Sequence, residues 1–215
     1  MNDMMDRKHS IVSCGKQMFD RGLVAGTWGN ISIRNASGDR IFITPSGMPY
    51  GELTPEDIVV VDAAGNVLEG KRPSSELPLH LAIYAARTDV LAVIHTHSLY
   101  ATACAVAGED IPPCLEELVQ VVGGSVDVAR YALPGTNELA QNVVEALGDK
   151  TASLLSNHGA VACGTSLKEA LLIAELVEKA AHIHVIASQL GGARRLSDED
   201  VQLMRRFYVE NYRRA

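Results

Sequence analysis

Two histidines separated by one residue, His95 and His97, close the apolar run Val90-Leu91-Ala92-Val93-Ile94. The run is short and rich in β-branched residues, the pattern of a buried strand. Alternate residues of a strand share a face, roughly 6–7 Å apart, so both imidazoles can turn toward one ion at the strand's open end. Taken alone, such a pair fits equally well one packed histidine and one solvated one. His158 offers a third imidazole, from the turn Ser156-Asn157-His158-Gly159 between two apolar segments. Three nitrogens with an open fourth position form the donor set of a catalytic zinc centre. Glu76 follows Pro73-Ser74-Ser75, where a hydroxyl cap and an early acid predict the first turn of a helix. A carboxylate there either serves the helix dipole or, beside a metal, acts as ligand or base. His80, one turn on, shares its face and either orients Glu76 or packs in the core.

Three loops combine backbone N–H groups with small polar side chains: Gly29-Asn30, Ser46-Gly47 and Ser74-Ser75. Each suits an oxyanion such as phosphate, and the last lies at a helix N-terminus, where the dipole favours negative charge. Each is also a common turn. The chain contains neither a Gly-x-x-x-x-Gly-Lys-[Ser/Thr] loop nor a strand-borne Gly-x-Gly-x-x-Gly loop.

The elements that must position these residues can be read in order. A helix is expected over residues 7–23, with Gly22 loosening its end. Strands at 31–34 and 40–43 form a hairpin, and Thr54-Pro55-Glu56-Asp57 a capped turn. A second hairpin joins 58–62 to 67–68, and a helix then starts from Pro73-Ser74-Ser75-Glu76. The histidine-bearing strand follows, then small residues from Ala101 to Ala107 that suggest a close-packed helix. Residues 137–147 are an amphipathic helix, 152–155 and 160–163 strands, and 167–189 a long helix before a last one capped at Ser197. Hairpins outnumber strand–helix–strand crossovers, so the fold class expected is α/β with a mainly antiparallel sheet covered by helices.

At 215 residues with 47% hydrophobic content, the chain fits one domain spanning 1–215. It holds no membrane-length apolar run, and its first residues lack the pattern of a signal peptide, so a cytoplasmic protein is expected. A net charge of −7 argues against nucleic acid as a partner. The late basic pairs Arg194-Arg195, Arg205-Arg206 and Arg213-Arg214 read as a solvated face or a subunit contact. Cys14, Cys104, Cys114 and Cys163 are scattered and read as small buried hydrophobes.

In this order, Gly26-Thr27-Trp28-Gly29-Asn30-Ile31-Ser32, Ile43-Thr44-Pro45-Ser46-Gly47, Pro73-Ser74-Ser75-Glu76, His95-Thr96-His97 and Asn157-His158-Gly159 resemble the class II aldolase/adducin family over nearly the whole chain. The resemblance implies a three-layer α/β/α sandwich with a mostly antiparallel central sheet. It also implies a homotetramer with active sites at subunit borders. By position, His95, His97, His158 and Glu76 would hold Zn²⁺, a set that also accepts Mn²⁺ or Co²⁺. Gly29, Asn30, Ser46, Gly47, Ser74 and Ser75 would bind a substrate phosphate. The implied reaction is reversible cleavage of a ketose 1-phosphate to dihydroxyacetone phosphate and an aldehyde, through a metal-stabilised enediolate protonated by Glu76. Substrates of this kind include L-fuculose 1-phosphate and deoxy or alkylthio pentulose 1-phosphates.

One departure stands out. The family's fuculose-phosphate branch places a tyrosine after an Ile-Pro segment, reaching a neighbouring active site as the acid for the aldehyde oxygen. The corresponding stretch here is Pro113-Cys114-Leu115-Glu116-Glu117. Glu116 or Glu117 takes that part or forms a solvated charge pair, and Tyr212 resembles a tail tyrosine of the same branch. A glutamate acid in this region is the mark of the methylthioribulose-1-phosphate dehydratase branch, which generally lacks the glutamate that Ser74-Ser75-Glu76 retains. Epimerases and decarboxylases of pentose phosphates, and the non-catalytic adducin heads, are the remaining alternatives.

Overall fold

Alternating apolar residues build the strands, and their two faces gather two separate cores. In the computed structural model, which describes residues 2–213, the strands are β1 (Asn30–Arg34), β2 (Arg40–Ile43), β3 (Val59–Asp62), β4 (Val67–Glu69), β5 (Ala92–Thr96), β6 (Val128–Ala129), β7 (Ala152–Leu155) and β8 (Gly159–Gly164). They form one sheet in the order β4-β3-β2-β1-β5-β8-β7-β6. Only β6 and β7 run parallel; the other neighbouring pairs are antiparallel.

Helices cover both faces. Ile31, Ile33, Phe42, Val60 and Ile94 point to the side packed by α1 (Asn2–Asp20), α3 (Leu99–Ala107), α4 (Glu116–Val122) and α6 (Leu167–Gln189). Ile41, Ile43, Val61, Val93 and Val161 face α2 (Leu77–Ala86) and α5 (Asn137–Leu147). The period-2 alternation of the strands thus separates three layers, the sandwich that the resemblance implied. The last helix, α7 (Asp198–Asn211), packs on α4. Arg214, half of the last basic pair, lies outside the described residues, as do Met1 and Ala215. Among the described residues no helix is long and apolar enough to cross a membrane.

Helix starts follow their caps. The Thr136, Ser166 and Ser197 hydroxyls accept from backbone N–H groups three residues on, fixing α5, α6 and α7. One expected start moves. The helix anticipated at Ser74-Ser75-Glu76 begins at Leu77, because Pro73 bridges to Pro45 and Ser74 donates its N–H to the Thr44 carbonyl, and Ser75 and Glu76 then form a turn that leads into the helix. Glu76 is therefore the residue flanking the helix rather than part of its first turn, and its side chain makes no cap bond. That frees the carboxylate for the site.

Candidate active site

Neighbouring strands in the middle of the sheet assemble the cluster. β5 pairs with β1 so that Asn30 lies opposite His95, and with β8 so that His95 lies opposite Val161. Val93 and His95 share the face toward α2, and His97 follows just past the strand end, its N–H held by the Leu23 carbonyl. His158 is presented by the β7–β8 turn, where Asn157 adopts a left-handed φ of 57° that asparagine tolerates. The ligand atoms of Glu76, His95, His97 and His158 all lie within 4.8 Å of one another.

The ring nitrogens and the carboxylate of the cluster face one another at short range. His95 Nδ1 lies 2.9 Å from the Ala160 carbonyl, which can only accept, so Nδ1 carries a proton and Nε2 faces inward. That Nε2 is 2.9 Å from His97 Nε2 and 3.1 Å from Glu76 Oε2. Glu76 Oε1 is buried with no hydrogen-bond partner among the described residues, 3.5 Å from His158 Nε2. Burial, aided by the neighbouring His95, pushes His97 down to about 3 and His158 down to about 4, so both are neutral ligands at pH 7. Burial works to raise Glu76, but the charge and hydrogen bond of His95, the charge of His158 and the Asn30 N–H outweigh it and hold the carboxyl well below its usual range. Burial lowers His95, but the charge and hydrogen bond of Glu76 and the Ala160 carbonyl outweigh it and raise that imidazole, so a cation would take the place of its inward proton. Two neutral imidazoles, this third one, an ionised carboxylate and an orphaned buried oxygen fit a divalent cation.

A cavity of about 160 Å³ adjoins the cluster, and its wall contains all six predicted oxyanion residues together with Glu76 and His158. The three loops that sequence spacing singled out thus converge on one space. Gly29 is required there: it has a φ of 80°, and a Cβ would stand 2.7 Å from the His95 carbonyl oxygen. Trp28 was not anticipated as part of the site. It is 65% exposed and its ring centroid lies 5.6 Å from that of His97. A lone tryptophan beside Gly29 was the signal for it.

The accessory acids stand elsewhere within one chain. Glu116 and Glu117 are exposed on the first turn of α4, and Glu117 Oε1 is 2.5 Å from Lys179 Nζ. Tyr212 lines a separate cavity near Arg21, Lys168 and Tyr208, with its ring parallel to that of Tyr208. None of the three lines the cavity beside the histidines.

Gly159 sets the spacing of the strands beside the histidine cluster. A Cβ on it would lie 2.2 Å from the Thr96 carbonyl oxygen and 3.2 Å from His95 Cε1. Gly159→Ala therefore pushes β8 off β5 beside His95. The expected cost is about 1–3 kcal/mol by urea titration, with metal affinity reduced about 10–100-fold by the displaced ligand. Wild-type values for both would contradict this close approach.

Comparison with known proteins agrees with this geometry. Residues 9–185 match the family described as class II aldolase and adducin N-terminal domain. The chain is 38% identical over 200 residues to the 5-deoxy-D-ribulose 1-phosphate aldolase of Bacillus thuringiensis serovar kurstaki, covering 93% of each. It is 38% identical over 174 residues to the 5-methylthioribulose-1-phosphate/5-deoxyribulose-1-phosphate aldolase of Rhodospirillum rubrum, covering 81% of this chain and 78% of the relative. A solved structure of an L-fuculose 1-phosphate aldolase superposes with a TM-score of 0.92 at 40% identity, covering 95% of this chain and 96% of that one. The matched segment contains the whole histidine–glutamate cluster and the cavity beside it, and the chain belongs to the class II aldolase and adducin family.

Proposed function

We propose that the protein is a Zn²⁺-dependent aldolase that cleaves a ketose 1-phosphate reversibly to dihydroxyacetone phosphate and an aldehyde. The substrates favoured are L-fuculose 1-phosphate and deoxy or alkylthio pentulose 1-phosphates, the compounds named for its relatives. The observation that carries the reading is the placement of the histidine–glutamate cluster against the oxyanion cavity. When bound, the divalent ion supplies Lewis acidity to the ketose carbonyl and its neighbouring hydroxyl; Mn²⁺ or Co²⁺ would serve the same donor set.

The protein's own groups do the rest. Gly29, Asn30, Ser46, Gly47, Ser74 and Ser75 receive the phosphate, with the N-terminus of α2 adding its dipole. Breaking the C3–C4 bond leaves its electron pair on the three-carbon half. Glu76, ionised in the absence of substrate, takes up one proton from solvent when substrate binds and delivers it to C3; the proton released from the C4 hydroxyl returns to solvent, closing the balance. In the synthetic direction the same carboxylate removes that proton. The C4 hydroxyl gives up its proton to a second group, for which Glu116, Glu117 and Tyr212 are the candidates, supplied across a border between subunits of a cytoplasmic homotetramer. All 215 residues form one such catalytic domain.

The test is solvent deuterium exchange into dihydroxyacetone phosphate, followed by NMR, with metal-loaded and metal-stripped protein. Exchange that depends on metal is the expected result. Its absence with metal demonstrably bound moves the assignment to the dehydratase, epimerase or decarboxylase branches. Under the aldolase reading Glu117→Gln leaves exchange unchanged, because exchange at C3 needs no partner for the C4 oxygen.

A further inference from the structure

A line of buried polar groups runs from the middle of the sheet to Glu76, and the chemistry above uses only its end. Tyr84 Oη lies 2.7 Å from Ser32 Oγ, and Ser32 Oγ lies 2.6 Å from His80 Nδ1. His80 Nε2 is 2.5 Å from Asn30 Oδ1, and Asn30 Nδ2 is 2.8 Å from Glu76 Oε2. All of these side chains are buried, His80 and Ser32 completely. Backbone periodicity brings them together: Asn30 and Ser32 alternate onto one face of β1, and His80 and Tyr84 stand one turn apart on α2.

Counting donors and acceptors leaves a single arrangement. Ionised Glu76 only accepts, so Asn30 turns its NH₂ toward it and its Oδ1 toward His80. His80 Nε2 must then carry a proton. Burial, the largest influence on this imidazole, pushes it down to about 3, so the ring is neutral and Nδ1 is a bare lone pair. Nδ1 accepts the Ser32 hydroxyl, and the Ser32 oxygen in turn accepts from Tyr84. Every donor in the line points toward Glu76. Arg34 anchors the far end by donating to the carbonyls of Tyr84, Arg87, Thr88 and Val90, with its guanidinium 5.0 Å from the Tyr84 ring centroid.

We propose that His80 is a positioning residue: it locks the Asn30 amide so that one N–H holds Glu76 Oε2 and the other faces the cavity as a donor to the substrate oxyanion. The proposal rests on the reading of Glu76 and the cavity given above. A flipped Asn30 amide would set its carbonyl oxygen against the Glu76 carboxylate, exchanging a charge-assisted hydrogen bond for a repulsion in a buried site. The His80 Nε2–H opposes that flip because a flipped amide would present it with a second donor.

Two experiments test this. Long-range ¹H–¹⁵N NMR of the metal-free protein reads the His80 tautomer without any activity. The Nε2–H form is expected; the Nδ1–H form or an imidazolium at pH 7 overturns the proposal. Second, deuterium exchange into dihydroxyacetone phosphate is compared for metal-loaded His80→Gln and His80→Leu. Glutamine carries a donor where Nε2 stands and an acceptor toward Ser32, so it keeps exchange within about threefold of wild type. Leucine fills the space without either and lowers exchange about 10–100-fold at unchanged metal content. Equal rates in the two variants overturn the proposal. If the leucine variant does not fold, Ser32→Ala replaces it, and the expected result is a mixed His80 tautomer population with slowed exchange; a single Nε2–H tautomer at wild-type rate overturns the proposal. A wild-type protein with the Nε2–H tautomer but no exchange overturns the aldolase reading, not the hydrogen-bond order.

Discussion

Replacing His95 with alanine removes bound metal and turnover together. His95 is the member of the cluster with no freedom: it is fully buried, its Nδ1–H is tied to the Ala160 carbonyl, and its Nε2 stands beside both His97 and Glu76. His97 and His158 are each partly exposed and lean toward it. Truncation leaves two imidazoles and a carboxylate without their central ligand, and strips the Ala160 carbonyl of a buried donor, about 1–3 kcal/mol in itself. Metal affinity should fall by more than the 10–100-fold typical of losing an outer partner. Catalysis through the ion should fall about 10³-fold or more, equivalent to about 4 kcal/mol of barrier. Metal content by elemental analysis and exchange into dihydroxyacetone phosphate measure the two effects. The single tryptophan, Trp28, gives a third readout, since its ring lies 5.6 Å from that of His97 and its fluorescence should respond to metal titration in the wild type but not in the variant. His9→Ala, changed on the exposed face of α1, is the control. Full activity in a metal-free His95→Ala protein would end the metal-dependent reading.

The members of the histidine–glutamate cluster and the three loops beside it could be picked out because each lies in a short local pattern: alternate residues at a strand end, a glycine beside a small polar residue, a turn between apolar strands. The bounds of α5 and α6 were equally readable, since long amphipathic segments with hydroxyl caps leave little choice. The start of α2 was misread because Ser74 and Ser75 look like caps, whereas Pro73 and Ser74 pair with the Thr44–Pro45 segment and the Ser74 hydroxyl caps a turn just ahead of the helix. Pro78, in the first turn of the real helix, was the better cue. The two-residue β6 and the seven-residue α4 were not assigned, being too short to show a period. β6 exists because β7 offers it an edge, which is a tertiary fact. The hydrogen bonds among Ser32, Asn30, His80 and Glu76 join residues 46 to 50 positions apart, and no local pattern announces them. His80 was readable as a neighbour of Glu76 one turn on, but it meets that carboxylate through Asn30 of β1.

Glu76→Gln should separate binding from proton transfer. The substitution keeps the shape of a largely buried side chain and retains an oxygen to accept the Asn30 N–H. The cavity is lined mostly by other residues, Gly29, Asn30, Ser46, Gly47, Ser74 and Ser75 among them, so a phosphate ligand should bind within a few-fold of its wild-type affinity. Proton exchange is different. An amide cannot take the proton from C3 or return it, and loss of a positioned general base costs about 10²–10⁴-fold. The amide also turns an NH₂ toward the inward-facing histidine nitrogens, where the carboxylate had offered a lone pair; elemental analysis must therefore accompany the kinetics. At equal metal occupancy the exchange rate should still fall by that factor, while isothermal titration with phosphate stays near wild type. Glu76→Asp, which restores the charge on a stem one methylene shorter, should recover metal affinity but little exchange, because the oxygen no longer reaches its place between Asn30 and His95. Unchanged exchange in Glu76→Gln would transfer the proton-carrying role to another group. A joint collapse of phosphate binding and exchange would show Glu76 to be a structural part of the cavity rather than its base.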